Sequence, residues 1–121
     1  MAEFSFPKES RLLTAADYKA VFDNSQYKVS CRHFLMLATI SQRNTKRLGL
    51  VLAKKHIGKA VQRNRIKRQI RESFRNTHAQ FPSLDVVVLA RRDADKLNNA
   101  KLAEFLNALW LDLENKLKVR K

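Results

Sequence analysis

Apolar and polar positions divide the chain into segments of two different periods. In "LLTAADYKAVFDNS", Thr14 fits a helix N-cap, and Asp17 falls at N3, near the positive end of the helix dipole. Leu13 and Tyr18 occupy the N′ and N4 positions of a hydrophobic staple. Tyr18 and Phe22 stand at i, i+4 and share one face; Asn24 and Ser25 mark the stop. The period then shortens to two. "RHFLMLATIS" sets Phe34, Met36, Ala38 and Ile40 against Leu35, Leu37 and Thr39. "RLGLVLAKK" sets Leu48, Leu50 and Leu52 against Gly49, Val51 and Ala53. "LDVVVLARR" is apolar on both faces and follows Phe81-Pro82-Ser83. All three read as strands, and a short extra strand fits Tyr27 to Ser30. The polar link "QRNTK" suggests an antiparallel hairpin between the first two.

The helical period returns twice. "NNAKLAEFLNALWLDLENKL" places Leu102, Phe105, Leu106, Leu109, Leu113 and Leu117 near one stripe, with Trp110 at its edge. That stripe is core. Between the second and third strands, the segment from about Lys59 to Thr77 reads as a helix of unusual charge. At about 100° per residue, Ile66, Ile70 and Phe74 form a narrow apolar stripe beside Ser73 and Thr77. Asn64, Arg68, Arg71 and Arg75 align on another side, flanked by Lys67. A solvated face normally mixes signs; here the sole acid is Glu72. The consecutive Arg63, Asn64 and Arg65 splay to three sides and act together only as a cluster at the helix start, where backbone N–H groups also favour phosphate. Lys54, Lys55, His56 and Lys59 extend the basic surface ahead of the helix.

These elements give an α+β chain: a small mixed sheet packed with helices. The strand–helix–strand unit around the basic helix suggests a crossover between parallel strands, right-handed by default. The 121 residues suit one domain, 1–121, and 45% apolar residues suffice for a core. Two Gly and two Pro leave no room for a flexible linker. No repeat, secretory h-region or bilayer-length apolar run is visible. The single cysteine, Cys31, precludes an intramolecular disulfide and reads as a packed residue. A cytoplasmic protein fits.

The net charge of +14 points to a polyanion. An anionic membrane surface is the competitor; it expects a wide, strongly apolar face opposite the charge, and the apolar stripe of the basic helix is narrow. A metal nuclease would need clustered carboxylates; the acids are scattered along the chain, Asp93-x-Asp95 being a close pair. His33, His56 and His78 lack zinc spacing and read as surface or RNA-side residues. Nucleic acid is the commonest large polyanion, but the charge alone does not say which polyanion is bound. It also leaves open an rRNA- or DNA-binding protein with no enzymatic role.

"AKKHIGKAVQRNRIKRQIRESFR" resembles the signature of the bacterial ribonuclease P protein component, whose hallmark is the Arg-Asn-Arg run. "FPKESRLLTAADYKAVF", "DVVVLARR" and the closing helix are also similar to that family, so the resemblance spans nearly the whole chain. It implies an αβββαβα order, a ribosomal protein S5 domain 2-like fold and a left-handed βαβ crossover. It implies a subunit of the ribonuclease P endoribonuclease, which removes the 5′ leader from precursor tRNA. The catalytic RNA would carry the chemistry, with Mg²⁺ bound mainly by RNA, and no organic cofactor or stable protein partner would be required. Lys54, Lys55, Lys59, Arg63, Asn64, Arg65, Lys67, Arg68, Arg71 and Arg75 would face the catalytic RNA. Tyr18, Phe22, Phe34 and Arg11 would hold the leader. Leu35, Met36 and Leu37 stand where some members carry a further aromatic or polar residue.

Overall fold

A computed structural model describes residues 11, 12, 14–41, 46–77 and 83–119. The elements are α1 (Ala15–Asn24), β1 (Tyr27–Ser30), β2 (Phe34–Ile40), β3 (Arg47–Val51), α2 (Ala60–Asn76), β4 (Leu84–Ala90), a 3-10 turn (Ala94–Lys96) and α3 (Asn99–Val119). The expected helices and strands are all present, the extra strand included.

The sheet order is β1-β2-β4-β3. β2 pairs antiparallel with β4, and β3 pairs parallel with β4 through the α2 crossover. The expected β2–β3 hairpin is therefore absent: β4 lies between them. The reason is burial. Val86, Val88 and Ala90 face one side of the sheet and Val87 the other, all of them buried. A strand apolar on both faces belongs at the centre, since an edge position would leave it half wet.

One face of the sheet carries the main core. Phe34, Met36, Ala38, Leu48, Val86 and Val88 meet Ile66, Ile70 and Phe74 of α2 and the Leu102–Leu117 stripe of α3. Trp110, at the edge of that stripe, is fully buried there. Its Nε1 donates to Ser73 Oγ at 2.9 Å, which satisfies the indole. Asn98 caps α3, its Oδ1 accepting from Lys101 N.

The other face is covered by α1, whose sole fully buried residue is Val21. α1 is held mostly by polar contacts. Thr14 and Asp17 form a reciprocal capping box. The staple partner Leu13 lies outside the described residues. Arg47 grips Asp85 with both arms of its fork, at 3.0 and 2.8 Å, and its Nη1 lies 3.5 Å from Asp17. The hydrogen bond to Asp85 holds Arg47 above its ordinary pKa, against the opposing effect of burial. This buried network ties β3, β4 and the first turn of α1 together.

Candidate nucleic-acid interface

Tyr18 sits where α1 meets the edge strand β3. Its hydroxyl accepts from Leu50 N at 3.1 Å, capping an amide that the sheet leaves unpaired. A Cβ built on Gly49 would lie 2.7 Å from Tyr18 Cε2 and 2.9 Å from Leu12 Cδ1. Glycine is therefore what lets the ring lie against the strand. Phe22 is 43% exposed one turn further along. Leu35, Leu37, Leu89 and Val51 beside them are half-buried, because α1 covers only part of this face. The result is a shallow aliphatic trough with aromatic residues along α1.

Phe34 does not join this trough. It is fully buried on the opposite face, packed into the α2–α3 core. Strand alternation explains the difference: Leu35 and Leu37 face α1, so Phe34 and Met36 face away.

α2 begins at Ala60, so the Arg63-Asn64-Arg65 run lies one turn inside the helix rather than at its start. The three side chains go separate ways. Arg63 Nη1 donates to the carbonyls of Ile57 and Gly58, at 3.0 and 2.9 Å, and clamps the loop that leads into α2. Arg65 donates to Gln62 Oε1, Asn99 Oδ1 and the Asp95 carbonyl, at 2.9, 2.9 and 3.0 Å. It thereby ties α2 to the 3-10 turn and the first residue of α3. A guanidinium has five N–H donors; Arg63 uses Nη1 alone and keeps its other nitrogens, while Arg65 uses all three nitrogens. Asn64 is exposed.

The rest of the basic row matches helical phase. Arg68 and Arg75 are exposed, and neither has a partner among the described residues. Lys67 and Arg71 are half-buried; Lys54, Lys55 and Lys59 are exposed around the turn that precedes α2. Burial, and next the positive charge of Arg11, lower the pKa of Arg71, while Tyr18 acts in the opposite sense. Arg71 therefore stands at the junction of the two surfaces, beside Arg11 and Tyr18. A phosphate there would relieve both the burial of charge and the like-charge repulsion.

Among the described residues, no three His, Cys, Asp or Glu side chains come together where a metal ion could be held. His33 stacks on Phe105, with ring centroids 5.6 Å apart, and so contributes to packing. His56 Nδ1 is buried without a partner among the described residues. His78 lies outside them. Asp93, in the left-handed region at φ 73°, pairs with Lys96, and the Asp95 carbonyl receives Arg65. No described helix is long and apolar enough to cross a membrane.

A basic row on α2 faces outward, an aromatic-edged trough lies beyond it, and residues 6–114 match the family model "Ribonuclease P". The chain belongs to the ribonuclease P protein family. It is 44% identical to the ribonuclease P protein component of Chromohalobacter salexigens, over 94% of this chain and 89% of that relative. The RNase P protein of Staphylococcus aureus shares the fold at a TM-score of 0.76 and 28% identity, covering 93% of this chain and 95% of that one. The RNase P protein of Thermotoga maritima does so at 0.70 and 29%, covering 83% and 94%.

For this member of the ribonuclease P protein family, the sheet topology adds cations that sequence reasoning missed. Phe34 pairs with Ala90 and Val51 with Leu89, so the start of β2 and the ends of β3 and β4 share one end of the sheet. Arg32, Arg91 and Arg92 therefore join Lys54 and Lys55 there. Arg32 and Arg92 are exposed, and Arg91 Nη1 donates to the Cys31 carbonyl at 2.9 Å. "DVVVLARR" carries two of these arginines, but their place beside Lys54 depends on β4 being central.

Proposed function

We propose that this chain is the protein subunit of ribonuclease P. On this reading it binds the catalytic RNA through α2 and the turn before it, and holds the 5′ leader of precursor tRNA along α1. The holoenzyme cuts that leader from the precursor to give the mature tRNA 5′ end. The observation that carries the reading is family membership across residues 6–114 together with the outward cations of α2.

The division of labour follows from the chemistry available. Exposed Arg68 and Arg75 meet RNA phosphates as charge-assisted donors, with Asn64 alongside them. Lys54, Lys55 and Lys59 extend the contact around the helix start. Arg63 and Arg65 act first as braces that shape this surface, and their remaining N–H groups are still able to reach phosphate. Tyr18 and Phe22 offer rings to unpaired leader bases, each stack worth about 1–3 kcal/mol. Arg11 and Arg71 hold a phosphate at the junction. Phe34 acts beneath the sheet as core.

Hydrolysis belongs to the RNA subunit on this reading. Mg²⁺, held mainly by RNA, would stabilise the charge that develops on the phosphodiester; the described residues of this chain offer no carboxylate cluster for it. The protein works in the cytoplasm, needs no organic cofactor and requires no stable protein partner. Reconstitution tests the proposal. Precursor tRNA is incubated in Mg²⁺ with protein alone, RNA alone and both. We expect accurate 5′ cleavage to be most efficient with both, and none with the protein alone. Efficient cleavage by RNA-free protein would overturn the division of labour; no effect of the protein on the RNA would overturn the subunit role.

A further inference from the structure

The side of α2 turned toward α3 belongs to neither the apolar stripe nor the arginine row. There Gln69, Glu72, Ser73, Asn76 and Thr77 form one wall of a cavity of about 340 Å³. Asn107, Ala103 and Leu111 of α3 form the other. This volume lies in the range of small-molecule sites. The carboxamides of Gln69, Asn76 and Asn107 make no side-chain hydrogen bond among the described residues. Ser73 Oγ, by contrast, is already engaged by Trp110 Nε1 and the Ile70 carbonyl. Leu111, 50% exposed, supplies an apolar lip.

The lining selects against an anion. Among the described residues it holds no cation, and its one charge is the Glu72 carboxylate, the only acid on α2. It selects for a neutral ligand with donors and acceptors on a planar edge. Each carboxamide offers both, and Asn and Gln pair with adenine edges while a carboxylate accepts from an exocyclic amine. About 60° around the helix from Glu72 stands Arg75, the last member of the outward row. A nucleotide whose phosphate lies on that row has its base within reach of the cavity, while Glu72 repels the phosphate itself. By helical phase Arg71 lies on the side of the row away from Glu72, and its charge is the one that feels Arg11 and Tyr18. The cavity therefore adjoins the surface assigned to the catalytic RNA and not the one assigned to the leader.

We propose that the cavity between α2 and α3 receives one unpaired nucleobase of the ribonuclease P RNA, whose backbone phosphates lie along Asn64, Arg68 and Arg75. This rests on the RNA-binding reading of α2 and adds a base-recognition site to it. The test compares the full chain with its Asn107→Ala and Gln69→Ala variants. Both replace half-buried or exposed helical positions with the best helix former, so the fold is expected to hold, and thermal melting checks that it does. Affinity for the ribonuclease P RNA is measured across a salt series, and the bound RNA is probed with reagents that read the base-pairing edges of all four bases. We expect each variant to bind roughly tenfold more weakly with an unchanged salt slope, because a base contact and no phosphate contact is lost. One unpaired base protected by the wild-type chain becomes reactive in the variant complexes. Wild-type affinity and an identical protection pattern in both variants would overturn the site while leaving the RNA-binding reading intact. Failure of the wild-type chain to bind the RNA would remove both.

Discussion

Arg47, Arg63 and Arg65 turn inward; Arg68 and Arg75 turn outward. The first three hold acceptors of their own chain: a carboxylate, two loop carbonyls, and a set that spans α2, the 3-10 turn and α3. The last two have no partner among the described residues. In the sequence all five are equal units of positive charge. In the fold they do opposite things. An inward fork stabilises by satisfying buried or half-buried acceptors, a role lysine's point charge fills poorly. An outward arginine among like charges stabilises nothing by itself and awaits an anion. The basic helix is thus partly a scaffold and partly a contact surface, and substitution separates the two.

The largest expected effect is at the inward end. Asp85→Ala leaves Arg47 buried without its bidentate partner, which costs about 3–5 kcal/mol. Thermal melting reads this as a large fall in Tm; a melting curve like that of the wild type would refute the buried network. Arg65→Ala removes three hydrogen bonds and costs about 1–3 kcal/mol. Because Arg65 acts first as a brace, RNA affinity is expected to fall with little change in its salt dependence. A slope reduced by a full phosphate contact would instead make Arg65 a primary RNA ligand. Arg68→Ala is expected to do the reverse. Stability stays within about 0.5 kcal/mol of wild type, while the salt slope of RNA binding drops by about 0.7–0.9. An unchanged slope would remove Arg68 from the interface.

Much of this was legible in the sequence, for physical reasons. Thr14 and Asp17 spell a capping box, and the Ile66–Ile70–Phe74 stripe and the α3 stripe follow helical phase, so local chemistry was enough. The length and polarity of "QRNTK" suggest a β2–β3 hairpin, but these are local cues. The two-faced burial of Val86, Val87 and Val88 was the stronger, non-local one, and it placed β4 between the two strands. The central place of β4 is also what gathers Arg32, Arg91 and Arg92 beside Lys54 and Lys55, and no local pattern announces it. The Arg-Asn-Arg run was legible as a special cluster but not as braces, because the acceptors on Asp95 and Asn99 are some thirty residues away along the chain. Helical phase lined up Arg71 with Arg68 but was blind to Arg11, which only the packing of the segment before α1 against β3 brings near.

The aromatic residues repeat the same contrast on a smaller scale and give the smallest expected change in stability. The family resemblance groups Phe22 and Phe34 at the leader, yet one is 43% exposed and the other fully buried. Phe34→Ala would open a cavity in the core at about 3–5 kcal/mol, and any loss of substrate binding it caused would report misfolding. Phe22→Ala removes a partly exposed side chain that belongs to neither hydrophobic cluster, so Tm is expected to fall far less than with Phe34→Ala. If the Phe22 ring stacks on an unpaired leader base, the holoenzyme loses about 1–3 kcal/mol in affinity for leader-bearing precursor tRNA. Its affinity for tRNA without a leader does not change, and neither does assembly with the RNA subunit. The comparison of the two substrates is what decides. A loss that is equal with and without the leader would place Phe22 against the tRNA body or the catalytic RNA, and the trough along α1 would then need another occupant.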